Sequence, residues 1–165
     1  MCVYEQGRLI TDNMDKVKTQ GIVELVCRRA DGSIKWVHKT HNLITSAGKA
    51  QLALLAGDAS ATPFTYLAVG SSSTAPAAGN TTLGTELTTN GFARAAATVS
   101  RTTTNVTNDT LRLVHTWTAS GSATVEEAGV FNASSSGTML GRALTTTKSF
   151  VTGETLTLTY DVVFA

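Results

Sequence analysis

The chain has 165 residues, of which 42% are hydrophobic, so it is long enough for one ordinary core and a second independent domain is not expected. Thirteen Lys and Arg against twelve Asp and Glu give a formal charge of +1, which argues against nucleic acid or an anionic membrane as a partner. Only 15% of the residues are charged. A surface with so few charges favours a protein that packs against copies of itself or a scaffold.

Residues 1–20 show neither a helical nor a strand periodicity, and we expect an extended N-terminal arm. Ordering such a segment costs about 1–2 kcal/mol of backbone entropy per residue, so it lies on a partner or frays as a terminus. The side chains predicted to contact a neighbouring molecule are Val3, Tyr4, Arg8, Leu9 and Ile10.

The two cysteines, Cys2 and Cys27, are too few for a disulfide framework and lack the spacing of a zinc site, so no metal is expected. The rarity of disulfides in the cytosol favours two free thiols. A disulfide within or between chains is the alternative.

The body of the chain, residues 21–165, is predicted to begin with a hairpin over residues 21–40. Its turn is Asp31-Gly32 between two β-prone runs, a strong hairpin signal. A short helix over about residues 46–56 follows, capped by Thr45 or Ser46 and ended by Gly57. The helix should cover the sheet with one side, formed by Leu52, Leu55 and Ala56.

The rest of the body, residues 64–165, alternates short β-prone runs with turn signals. The last strand places Leu156, Leu158, Tyr160, Val162 and Phe164 on one face. The other predicted strands are residues 64–70, 92–100, 110–118, 124–131 with a bulge at Gly129, and 138–144. This pattern predicts an all-β fold, an antiparallel β-sandwich or jelly-roll-like barrel with one short helix.

No catalytic constellation is apparent. The histidines His38, His41 and His115 have no acidic partner at a meaningful spacing, and nucleophile-elbow, phosphate-loop and metalloprotease motifs do not occur. We therefore expect no enzyme activity and no cofactor.

Glu126 and Glu127 form the only adjacent acidic pair, and on a strand they point to opposite faces. The inward carboxylate is expected to pair with Arg94 or Arg142, and Glu127 with Arg142 is the structural ion pair that we single out.

Trp36, Tyr66 and Trp117 are the aromatic candidates for stacking on a sugar. Anchoring in the core or in an interface is the favoured interpretation, because aromatic side chains dominate both kinds of contact.

Four blocks in order resemble small structural proteins of tailed double-stranded DNA bacteriophages. The blocks are residues 42–50, 66–70 with 74–77, 127–133, and 137–142, and the similarity covers about residues 42–165. The resemblance implies a virion component without a transferable catalytic motif. Similar sequences are described both as capsid decoration proteins and as tail-fibre or baseplate parts.

From the resemblance we expect a decoration or cement protein on the capsid exterior, assembled in the host cytoplasm. It would contact the major capsid protein and copies of itself, with a trimer as the assumed oligomer, and would stabilise the shell by bridging capsomers. One alternative is a tail-fibre or baseplate component. Another is a carbohydrate-binding module that uses Trp36, Tyr66 or Trp117 on a host-surface glycan.

Overall fold

The computed structural model describes residues 4–5, 8–9 and 18–164. The described residues form eleven strands and one helix. They are β1 (Tyr4–Glu5), β2 (Arg8–Leu9), β3 (Thr19–Arg28), β4 (Ile34–Ile44), α1 (Ser46–Gly57), β5 (Tyr66–Gly70), β6 (Ala95–Ala96), β7 (Thr98–Thr102), β8 (Thr110–Thr118), β9 (Ala123–Phe131), β10 (Met139–Phe150) and β11 (Thr155–Phe164).

The predicted hairpin is present as β3 and β4, which pair antiparallel across the turn at Asp31 and Gly32. Gly32 has φ +84°, a conformation that glycine adopts at no steric cost. Both strands extend past the predicted range of 21–40, because β3 begins at Thr19 and β4 continues to Ile44.

The nine strands of the main sheet, all antiparallel, curl into a nearly closed barrel. Their order is β6-β5-β9-β10-β4-β3-β11-β8-β7. The edge strands β6 and β7 are separated in sequence by Ala97 alone, so the chain itself brings the two edges together. The backbone N–H of Ala97 donates to Thr65 O at 2.8 Å, which extends the pairing of β6 with β5 to the junction residue. The all-β prediction is confirmed, in its barrel form.

The core lies inside the barrel and follows the two-residue period of β3 and β11. Leu156, Leu158, Tyr160 and Val162 on β11 are fully buried, as predicted, and Phe164 at the strand end is half-buried. On β11 the intervening side chains are mostly half-buried and point outward. At about 1.5–3 kcal/mol for each fully buried large apolar side chain, this alternation is the main source of stability.

Helix α1 closes one end of the barrel. Thr45 caps it, because its Oγ1 accepts from Gly48 N at 2.9 Å. Gly48 packs against the backbone of Leu140 on β10, where a Cβ would overlap the main chain. Leu52 and Leu55 pack against the core as predicted. Of the residues that the structure describes, none lies in a helix long and apolar enough to cross a bilayer.

The bulge predicted at Gly129 is wrong. Gly129 is paired in register with Arg142 on one side and Ala68 on the other. The two irregularities of this pairing lie elsewhere, at Leu140 between the pairs of Met139 and Gly141, and between the pairs of Leu144 and Lys148. Gly129 instead makes room for Leu83, whose Cδ2 would lie 2.9 Å from a Cβ at this position. Glycine at this position therefore allows a loop to pack against the outer side of the sheet.

Three further boundaries differ from prediction. The strand predicted over residues 64–70 begins at Tyr66, and β10 runs on to Phe150, beyond the predicted end at 144. The strand predicted over residues 92–100 is divided into β6 and β7, because its two parts pair with different neighbours at the closure point.

Candidate functional site

The predicted contact residues of the N-terminal arm are only partly described. Strands β1 and β2 pair antiparallel, with Tyr4 opposite Leu9 and Glu5 opposite Arg8. Val3 and Ile10 lie outside the described residues, as does Cys2, so both the favoured pair of free thiols and the alternative disulfide stay predictions for Cys2 and Cys27.

Cys27 lies on β3 with its side chain fully buried in the core. Burial raises the pKa of its thiol, and the nearby negative charge of Glu154 raises it further. Because the thiolate is the reactive form, this cysteine is chemically quiet in the folded protein.

Glu127 on β9 and Arg142 on β10 form a buried ion pair, with Glu127 Oε2 2.6 Å from Arg142 Nε. Their side chains are 0% and 2% exposed. The carboxylate also accepts backbone N–H bonds from Gly84 at 3.0 Å and Thr85 at 2.8 Å, with a longer one from Ser72 at 3.3 Å. One buried pair thus joins two strands to two points of the long loop between β5 and β6.

Around this pair, residues 71–94, here called the covering loop, cover the outer face of β5, β9 and β10. Leu83 from this loop packs with Ala68, Phe131 and Met139 into a second apolar cluster separate from the barrel interior. No periodic pattern in the sequence indicates this layer, and in the structure it is marked by the burial of five consecutive residues of β10, from Met139 to Ala143.

Arg94 has a different partner from either glutamate of the adjacent pair. It forms a bidentate pair with Glu86, at 2.9 Å from Nε and 2.6 Å from Nη2. Its Nη1 donates to the carbonyls of Ala133 and Ser136, and the guanidinium lies 3.6 Å from the ring centroid of Phe131. Arg94 therefore anchors the β9–β10 loop to the end of the covering loop.

The outward side of β4, β3, β11 and β8, here called the open face, is half-buried or exposed throughout. Two ion pairs cross it: Glu24 with Lys39 at 2.6 Å, and Asp161 with Arg112, bidentate at 2.6 and 2.7 Å. The open face comprises Ile22, Glu24, Val26, Val37, Lys39, His41, Arg112, Val114, Thr116, Thr157, Thr159 and Asp161. Its four paired charges neutralise each other, and its remaining side chains apart from His41 are β-branched.

A family model described as Podophage GP4 fiber I protein gp80 matches residues 42–163, about three quarters of the chain. The chain belongs to this family. The match begins at the end of β4 and includes the covering loop, the ion pair of Glu127 with Arg142, and nearly all of β11. No curated protein and no solved structure matches the chain. As a phage fibre structural protein, a member of the gp80 family is a virion component.

In this gp80-family chain the aromatic candidates serve mainly packing. Trp117 is 3% exposed and donates from Nε1 to Ala93 O at 2.8 Å, so a sugar ring cannot reach its face. Trp36 is half-buried, with Phe150 edge-on at a centroid distance of 5.6 Å and Lys148 over its ring. Tyr66 packs against the second apolar cluster.

The three histidines of the gp80-family chain make separate contacts. His115 Nδ1 lies 3.0 Å from Ala96 O, and His41 Nδ1 lies 3.2 Å from Gly21 O. Desolvation lowers the pKa of His38, and the charge of Lys148 lowers it further. Within residues 4–5, 8–9 and 18–164 no group of three or more His, Cys, Asp or Glu side chains is arranged to hold a metal ion.

Proposed function

We propose that this protein is a non-enzymatic building block of a podophage tail fibre, which connects copies of itself and neighbouring fibre components. The observation that carries the proposal is the gp80 fibre family match over residues 42–163. It favours the tail-fibre alternative over decoration of the capsid exterior, for which the family gives no support.

The geometry is consistent with a rigid connecting role. The nearly closed sheet forms the barrel, and the buried pair of Glu127 with Arg142 holds the covering loop against it. A preorganised block loses little conformational entropy when it is incorporated into an assembly, so more of the contact energy appears as affinity.

Assembly through the open face is the part of the proposal that involves copies of this chain. The ion pairs of this face are already formed within the subunit, so an approaching copy does not meet isolated charges. The apolar side chain of Val37, 51% exposed, lies beside Val26 across the β3–β4 pair. Such a face suits a contact reused by symmetry-related subunits.

Copy number in purified virions tests the location. A tail component should be present in about a dozen copies or a few multiples of that number, whereas a capsid protein repeats hundreds of times because the shell repeats its contacts. Quantitative mass spectrometry against the major capsid protein, with antibody labelling of intact particles, measures both quantities. Hundreds of copies on the head would overturn the fibre assignment.

Native mass spectrometry of the purified chain tests the open face. We expect the parent protein to be an oligomer and the Val37→Glu variant to be monomeric, because the new carboxylate would lose its hydration in the subunit contact. The matched control is Val106→Glu, which places the same change at a 66% exposed position in the β7–β8 loop and should leave the oligomer intact. A monomeric parent protein, or equal effects of both variants, would refute the proposed contact.

A further inference from the structure

A groove of about 900 Å³ lies at the helix end of the barrel, between α1 and the terminal residues of β3, β4 and β11. Its apolar lining comes from Leu43, Leu52, Ala53, Ala56 and Phe164. Leu43 is 36% exposed, and Leu52 and Phe164 are half-buried, so the groove leaves apolar surface in contact with water. The volume is within the range of sites that hold a ligand.

One side of α1 forms a wall of the groove. Four residues line it, at positions i, i+3, i+4 and i+7 of the helix: Lys49, Leu52, Ala53 and Ala56. This spacing places them in a single stripe along the helix. Ala53 and Ala56 are exposed, and their small side chains allow a second helix to approach α1 at the short end of the usual interaxial range of about 8–10 Å.

The charged residues of the lining have one sign. Lys18 and Lys49 are both exposed, and the described lining contains no Asp or Glu. Lys49 also lies near the N-terminus of α1, where the helix dipole adds a partial positive charge. An occupant with acidic side chains would therefore complement the groove and would be favoured over a basic one.

The geometry favours a helical occupant. Strands β3 and β11 are paired with each other up to Thr19 and Phe164, and each has a second neighbour in the sheet, so an extended peptide finds no free edge of these strands to pair with. An amphipathic helix needs no backbone partner, because it binds a groove through an apolar stripe of its own.

Another protein must supply this helix. Among the described residues α1 is the single helix, and Ser46–Gly57 contains Lys49 but no acidic side chain. A second copy of the chain therefore offers no acidic helix from residues 18–164.

We propose that the groove between α1 and the ends of β3, β4 and β11 binds an acidic amphipathic helix of another fibre component. The apolar side chains of that helix pack on Leu52, Ala53 and Phe164, and its carboxylates face Lys18 and Lys49. The assignment of the partner to the fibre rests on the proposed function, whereas the preference for an acidic helix depends on the groove alone.

Two synthetic helical peptides test the chemistry of the groove. They have the same leucine stripe, and one carries glutamates where the other carries lysines. Fluorescence anisotropy with the full-length protein should show roughly tenfold tighter binding of the glutamate peptide at low salt, with a ratio that falls as salt screens the exposed lysines. Equal affinities for the two peptides, or no binding of either, would overturn the proposal.

Substitutions on α1 locate the binding. Ala53→Glu places a carboxylate in the groove and should weaken the glutamate peptide roughly tenfold. The matched control is Ala50→Glu, exposed on the same helix but outside the lining, which should have a much smaller effect. Lys49→Glu should reduce or reverse the preference for the glutamate peptide. Equal affinities of the parent protein and Ala53→Glu would assign the peptide to another surface and refute the groove site.

Photo-cross-linking in assembled virions tests the partner. A benzophenone side chain at position 53 should cross-link to an acidic helical segment of another fibre protein, identified by mass spectrometry, and the same group at position 50 should not. A cross-link to a second copy, to a head protein or to nothing would overturn the proposal even if the peptides bind. The fibre assignment itself depends on copy number in the virion, so the two failures are distinguishable.

Discussion

Replacing each member of the buried pair should destabilise the protein strongly, and replacing both together should cost less than the sum. Arg142→Met leaves the Glu127 carboxylate buried with only backbone N–H donors, and Glu127→Gln leaves the Arg142 guanidinium buried without a counter-charge. Breaking a buried pair on one side costs about 3–5 kcal/mol. We expect about 3 kcal/mol for each single variant, since both retain some hydrogen bonds.

The double variant contains no buried charge at this position. Its cost should be about 3–4 kcal/mol rather than the additive value of about 6 kcal/mol, a coupling of the size found for contacting residues. Urea unfolding followed by tryptophan fluorescence measures all three changes. Amide hydrogen exchange should also accelerate at Ser72, Gly84 and Thr85, because their N–H groups donate to Glu127.

A control at an exposed ion pair tests whether the destabilisation depends on burial. Lys39→Met removes one partner of the pair with Glu24, in which the lysine side chain is 68% exposed, and should cost less than about 1 kcal/mol. If Arg142→Met were as mild as Lys39→Met, or if the two changes at the buried pair were additive, the loop would not depend on this pair and the reasoning would be wrong.

Four other substitutions have defined outcomes. Gly48→Ala should destabilise the protein despite the higher helix propensity of alanine, because the added Cβ would overlap the backbone of Leu140. At Gly57 an added Cβ has no atom within 4 Å, so Gly57→Ala should stabilise the protein by about 0.5–1 kcal/mol in thermal unfolding. Leu158→Ala should lower the free energy of unfolding by about 2–5 kcal/mol, since the side chain is fully buried. The backbone N–H of Val106 and neighbouring donors lower the pKa of Asp109. The carboxylate therefore stabilises the fold at pH values above its unfolded pKa of about 3.9, and this stabilisation is lost as the pH falls through the lower folded pKa. The urea midpoint of the parent protein should exceed that of Asp109→Asn at pH 7, and the two midpoints should converge in acid.

The period of the side chains was sufficient to predict most of the barrel. On β11 the alternation of leucine with threonine marks the inward face residue by residue, and the Asp31-Gly32 turn defines the β3–β4 pair. Both signals are local, since they depend on residues within one strand or turn. The helix was predictable for the same reason, through its cap at Thr45.

The parts that escaped prediction depend on contacts distant in sequence. Gly129 suggested a local bulge, but the structure shows that the missing side chain leaves space for Leu83, which lies 46 residues earlier in the chain. Likewise the sequence singled out Arg142 as the partner of Glu127 but assigned no partner to Arg94, and only the path of the covering loop brings Arg94 to Glu86. A loop packed over a sheet has no regular alternation of apolar and polar residues, so sequence periodicity does not predict it.

Closure of the sheet limits how this fibre-family protein can assemble. The two edge strands are short: β6 has two residues and β7 has five, and β7 pairs only with β8 among the described strands. Strand addition at a sheet edge, a common route of self-association, is therefore restricted to these short strands. The covering loop occupies the outer side of β5, β9 and β10, so the open face of β3, β4, β8 and β11 is the large sheet surface that remains for contacts made by side chains. Such contacts should respond to single charge substitutions such as Val37→Glu, whereas backbone pairing at an edge would tolerate them.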